Sequence, residues 1–157
     1  MTQDERWMQK ALLQAQVAAR RGEVPVGAVV VSEGRIIARA HNRRESGKDP
    51  TAHAEILALR RAAQKLGGWR LSGCTLVVTM EPCPMCAGAA VNARIDRIVF
   101  GAYDEKAGCC GTILNVTGQA AFNHRCEVTG GVLEQDCRAV LQDFFRQRRK
   151  NKKGKEE

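Results

Sequence analysis

Two short segments carry side chains whose types and spacing could do chemistry: His53-Ala54-Glu55 and Pro82-Cys83-Pro84-Met85-Cys86. Taken separately each is common, because Cys-x-x-Cys serves redox, zinc and inert roles alike. Together they offer one imidazole and two thiols, a set that suits zinc better than calcium or magnesium, which take oxygen ligands. Three protein ligands leave a tetrahedral ion one open position, the usual arrangement of a catalytic zinc. Water at such a position has its pKa lowered from about 15.7 toward about 7. Glu55 is then the candidate proton carrier between water and leaving group, a role worth about 10²–10⁴ in rate. A second reading stays open from the ligand types alone. Cys74, Cys109 or Cys110 could close a structural Cys₃His site, leaving Glu55 an ordinary helix carboxylate in a zinc-stabilised RNA-binding module without catalysis.

Positioning these groups requires helix starts. His53 and Glu55 are two apart, and only in the irregular first turn of a helix can both serve one pocket. Asp49-Pro50-Thr51 is expected to start that helix, with Asp49 or Thr51 as its cap, and Ala52, Ile56, Leu59, Ala63 and Leu66 form its apolar stripe up to Gly67-Gly68. Pro84 suits the first position of the next helix, which sets Cys83 at its start and Cys86 one turn on. Free N–H groups there favour the thiolate that a metal requires.

The remaining elements frame these two. Thr2 and Glu5 have the form of a capping box, followed by Met8, Ala11, Leu12, Ala15 and Ala19 at helical spacing up to Gly22. Ala28–Ser32 and Arg35–His41 read as a hairpin through Glu33-Gly34. Thr75–Thr79 is a β-branched strand of the kind buried on both faces. Ile98–Phe100 and Glu127–Thr129 read as further strands, while Gly101–Gln119 has no clear periodicity. Cys137, Val140, Leu141 and Phe144 give a closing helix its buried stripe. Alternating strands and helices around one apolar centre imply an α/β sandwich, with the first two strands antiparallel and later ones parallel.

Composition bounds the rest. The chain has 157 residues, 44% hydrophobic and 27% charged, which excludes a disordered or collagen-like chain and suits one domain. No apolar run reaches the roughly 20 residues of a membrane helix. Met1-Thr2-Gln3-Asp4-Glu5-Arg6 lacks the form of a secretory signal, so a cytoplasmic protein with no membrane partner is expected. Seven cysteines are an odd number, read as thiols rather than as a disulfide frame. The net charge is +8, and residues 146–157 hold seven Lys and Arg against two Glu. A domain over 1–149 with a basic, frayed tail over 150–157 is expected. That charge is either a solvated tail or a contact with phosphates.

The spacing of His53-Ala54-Glu55 and Pro82-Cys83-x-x-Cys86 resembles the cytidine-deaminase-like zinc deaminases. The flanks Glu23–Ala28, Asp49–Glu55, Glu81–Ala89, Phe122-Asn123-His124 and Asp143–Arg149 extend the likeness to the bacterial tRNA-specific adenosine deaminases over nearly the whole chain. Gly108-Cys109-Cys110-Gly111 departs from the small residues expected there. The resemblance implies a three-layer αβα sandwich with a central mixed five-stranded sheet. It also implies hydrolytic deamination of adenosine to inosine at the wobble position of a tRNA anticodon, chiefly of arginine tRNA, by a homodimer with one Zn²⁺ per subunit. By that analogy His53, Cys83 and Cys86 bind zinc, Glu55 shuttles the proton, Asn42 and Asn123 hold the flipped base and its sugar, and Ala54 is a further substrate-binding residue. Asp104, Phe145, Arg148 and Arg149 would contact neighbouring nucleotides of the anticodon stem-loop. Phe144 fits a buried stripe, so Phe145 is the better candidate for RNA. A deaminase of free guanine, cytosine or nucleosides is the nearest alternative.

Overall fold

The computed structural model describes residues 1–156. In chain order the elements are α1 (Gln3–Arg20), β1 (Gly27–Ser32), β2 (Arg35–His41), α2 (Ala54–Leu66), β3 (Cys74–Met80), α3 (Pro84–Asn92), β4 (Arg97–Ala102), β5 (Glu127–Thr129) and α4 (Glu134–Glu156). The five strands form one mixed sheet in the order β2-β1-β3-β4-β5. β1 pairs antiparallel with both β2 and β3, whereas β3–β4 and β4–β5 are parallel. No described helix is long and apolar enough to cross a membrane.

The valine-rich strands explain the layering. Side chains alternate across a strand, so a continuous apolar run serves two cores at once. Val29, Val31, Val77 and Val99 pack with Met8, Ala11 and Leu12 of α1 and Cys137 of α4. Val30, Leu76, Val78 and Ile98 pack on the other side with Ala54 and Ala58 of α2 and Ala87 and Ala90 of α3. The result is the expected αβα sandwich. Small residues let the layers close: a Cβ on Gly27 would overlap the backbone of α1 at Ala11 and Ala15.

Local signals mostly set the boundaries. Thr2 and Glu5 form a reciprocal capping box, with the Glu5 N–H donating to Thr2 Oγ1 and the Thr2 N–H to Glu5 Oε1. Glu33 and Gly34 both take positive φ in the β1–β2 turn, and Gly67 closes α2 at φ 78°. Two boundaries depart from expectation. α2 begins at Ala54 with His53 as N-cap, because Asp49 instead accepts the Thr51 N–H at 2.8 Å and the Thr51 hydroxyl at 2.7 Å, spending its carboxylate on a local turn. At the other end α4 continues as helix past residue 149 to Glu156, where a frayed tail was expected.

Candidate active site at two helix starts

The N-caps of α2 and α3 are His53 and Cys83, and neither side chain caps its own helix. Both are therefore free to turn to a common point, with the positive ends of two helices behind them. His53 Nδ1 lies 3.6 Å from Cys83 Sγ and 3.4 Å from Cys86 Sγ. Zinc–sulfur and zinc–nitrogen bonds of about 2.3 and 2.0 Å at a tetrahedral angle put the two donors about 3.5 Å apart, so these residues fit zinc. The three donor atoms lie within 4.8 Å of one another, and among the described residues no fourth His, Cys, Asp or Glu joins them. Cys109 instead donates to the Ala107 carbonyl oxygen, Cys110 is a buried thiol pushed up to about 12 by desolvation, and Cys74 is buried in β3. The set is three-liganded, not a closed Cys₃His site.

Protons are shared tightly within the set. The Cys86 thiol donates to Cys83, holding Cys83 down to about 4 and pushing Cys86 up, and the bond to Cys83 raises His53. A bound cation replaces those shared protons, as thiolate ligation requires. Glu55 sits in the first turn of α2, 4% exposed, and burial drives its carboxyl above the ordinary range. A carboxyl raised in this way holds a proton more readily than an exposed one, which suits a proton carrier.

His53, Ala54, Glu55 and Cys83 line one cavity of about 150 Å³ together with Asn42 and Asp104. Val24, Val26 and Met80 supply its apolar wall, and Arg44 and Glu81 further polar groups. Asn42 is buried, donates through Nδ2 to the Val24 carbonyl at 3.3 Å and leaves its Oδ1 without a partner. An orphaned buried acceptor on a cavity wall is a place for a ligand's N–H or O–H. A family model for MafB19-like deaminases matches residues 2–149.

The chain belongs to the MafB19-like deaminase family. This deaminase is 54% identical over 153 residues to the tRNA-specific adenosine deaminase of Bacillus subtilis (strain 168), covering 98% of this chain and 95% of the relative. A solved structure from work on A-to-I editing by tRNA:A34 deaminases at the wobble position of transfer RNA superimposes with a TM-score of 0.84 at 43% identity, over 87% of this chain and 99% of that one. A guanine deaminase from Nitrosomonas europaea also superimposes, with a TM-score of 0.79 at 29% identity over 89% and 83% of the two chains. The deaminase has the cytidine-deaminase-like fold expected from its motifs.

The other expected site residues lie elsewhere on this deaminase. Asn123 is exposed beside Gly88, Asn92 and Arg94, away from the cavity. Phe145, Arg148 and Arg149 share a groove on the second half of α4, with Phe145 40% exposed and the Arg148 guanidinium 5.5 Å over the Phe144 ring. Sequence reasoning missed three groups at the site: Arg44, Glu81 and, behind the rim, Glu23. Glu81 follows a strand buried on both faces, the one local hint that its carboxylate faces inward.

Proposed function

We propose that this deaminase converts adenosine to inosine at the wobble position of a tRNA anticodon, chiefly of arginine tRNA, with zinc held by His53, Cys83 and Cys86. The observation that carries the reading is the buried Glu55 carboxyl beside a three-donor set in a cavity of about 150 Å³. A cavity of that size takes a single base, so the target must be unstacked, as it is in an anticodon loop. Zinc, when bound, lowers the pKa of a water from about 15.7 toward about 7 and so makes a nucleophile available at neutral pH.

The chain's own groups supply the remaining steps. Glu55 takes a proton from the attacking water as its oxygen bonds to C6 of adenine. It delivers that proton to ring nitrogen N1, then carries the remaining hydroxyl proton to the exocyclic nitrogen; the C6–N bond breaks, and ammonia leaves a C6 carbonyl with N1 protonated, which is inosine. Asn42 Oδ1 accepts a hydrogen bond from the bound nucleoside, and Ala54, the first residue of α2, lines the same cavity. Asp104, Phe145, Arg148 and Arg149 are assigned to the nucleotides around the target; Asn123, expected against the flipped base and its sugar, does not line the cavity and is given no role there. An exposed apolar groove on α2 and α3, lined by Ile56, Leu59, Ala63, Trp69 and Ala93, supports a homodimer. We assign the enzyme to the cytoplasm.

The test is incubation of zinc-loaded protein with an anticodon stem-loop bearing wobble adenosine, read as nucleosides by mass spectrometry. Inosine from wild type and none from Glu55→Ala with zinc retained is expected. Turnover of guanine or cytosine with no inosine would replace tRNA by a free base as substrate.

A further inference from the structure

Glu81 and the Gly108-Cys109-Cys110-Gly111 stretch are not used by the chemistry above, yet they meet. Glu81 follows β3, two residues before the ligand Cys83, and is 3% exposed. No cation neutralises it: among the described residues the ion pairs are Arg97–Asp4, Arg138–Glu134 and Arg146–Asp143. A buried carboxylate without a cation needs other donors, and Glu81 takes them all from one loop. Its Oε1 accepts the Asp104 N–H at 3.1 Å and the Thr112 hydroxyl, while Oε2 accepts the N–H groups of Cys110 and Thr112 at 3.1 and 3.2 Å. The loop folds tightly on this point, since a Cβ on Gly108 would collide with the Glu81 carboxylate and the Asp104 carbonyl oxygen. The Cys109 N–H donates to the Pro82 carbonyl at 2.9 Å, fixing the same loop to the residue beside the zinc ligand.

We propose that Glu81 is a positioning residue, anchoring the 103–112 loop so that Asp104 is held on the wall of the substrate cavity. Asp104 lies two residues beyond the end of β4, and there its backbone N–H is held by the Glu81 carboxylate. Asp104 Oδ1 is itself occupied by the N–H groups of Lys106 and Ala107, at 3.0 and 3.1 Å, so side chain and backbone are fixed together. Because the Glu81 segment also carries Cys83, one short stretch sets the distance between the metal donors and the residue that meets the nucleotide beside the reacting base. The substrate half of this inference rests on the proposed tRNA reading; the anchoring half does not.

Glu81→Gln tests both halves, because its amide turns an N–H toward donors that need an acceptor. Hydrogen exchange across residues 104–112 should become about tenfold faster, with α2 and α3 unchanged and zinc at the wild-type ratio. KM for the stem-loop should rise about tenfold, with kcat within about threefold of wild type. Asp104→Asn keeps the oxygen that Lys106 and Ala107 donate to; in that background Glu81→Gln should raise KM by less than about twofold more. Additive losses, or kcat falling together with zinc content, would overturn the proposal. If wild type leaves the stem-loop adenosine intact, the tRNA reading fails instead, and exchange alone decides: unchanged protection of 104–112 overturns the anchor, and faster exchange upholds it.

Discussion

At Glu23 two effects oppose each other. Burial pushes its carboxyl up, but the N–H groups of Ser46 and Glu45, at 2.7 and 3.0 Å, outweigh burial and hold it below the ordinary range. A carboxyl depressed in the folded state contributes stability above its unfolded pKa, and that contribution is lost as pH falls through the folded value. Glu23→Gln should therefore cost about 1–3 kcal/mol at pH 7. The gap to wild type should narrow below about pH 4, where wild type also loses the charge. Urea unfolding of both proteins at neutral and acid pH checks this, and an equal gap at both contradicts it. At this scale the convergence of His53, Cys83 and Cys86 beside Glu55 was legible, because imidazole, thiol and carboxyl at two helix starts have a narrow chemistry. Glu23 and Glu81 were not. Their partners lie 22 to 31 residues away, and an acidic residue gives no local sign that backbone N–H groups will converge on it.

Among the elements, the hairpin, the valine strands and the closing glycine of α2 followed from spacing and turn chemistry. The start of α2 did not, since two cap candidates competed and Asp49 closed a turn of its own. The stretch from Gly101 to Gln119 resisted assignment for a related reason. Its order comes from side-chain acceptors and single backbone bonds, such as Val116 N–H to the Cys109 carbonyl at 3.0 Å, not from a repeating ladder. The close approach of α1 to β1 depends on Gly27. Gly27→Ala should cost about 3 kcal/mol or more, beyond ordinary overpacking, because the added methyl meets helix backbone that cannot rotate aside. Thermal unfolding of the variant measures the cost, and a midpoint equal to wild type would mean that α1 slides on the sheet.

For the molecule as a whole, charge was legible and layer partnership was not: nothing local says that α1 shares a face with α4 and α2 with α3. The basic residues from Arg146 to Lys153 are carried on α4, which gives Arg148 and Arg149 a place beside Phe145. Replacing both arginines by Ala should weaken stem-loop binding and flatten the slope of log K against log salt by about 1.4, the share of two single-strand phosphates. An unchanged slope, measured by titration at several salt concentrations, would remove them from the RNA interface. His53 and Cys83 stand 30 residues apart in sequence, yet their Nδ1 and Sγ atoms are 3.6 Å apart, and β3, which leads to Cys83, is paired with β1. The three donors are therefore brought together by the fold, and on the proposed zinc reading a bound ion would favour the folded chain over the unfolded one, so that chelation lowers the unfolding midpoint.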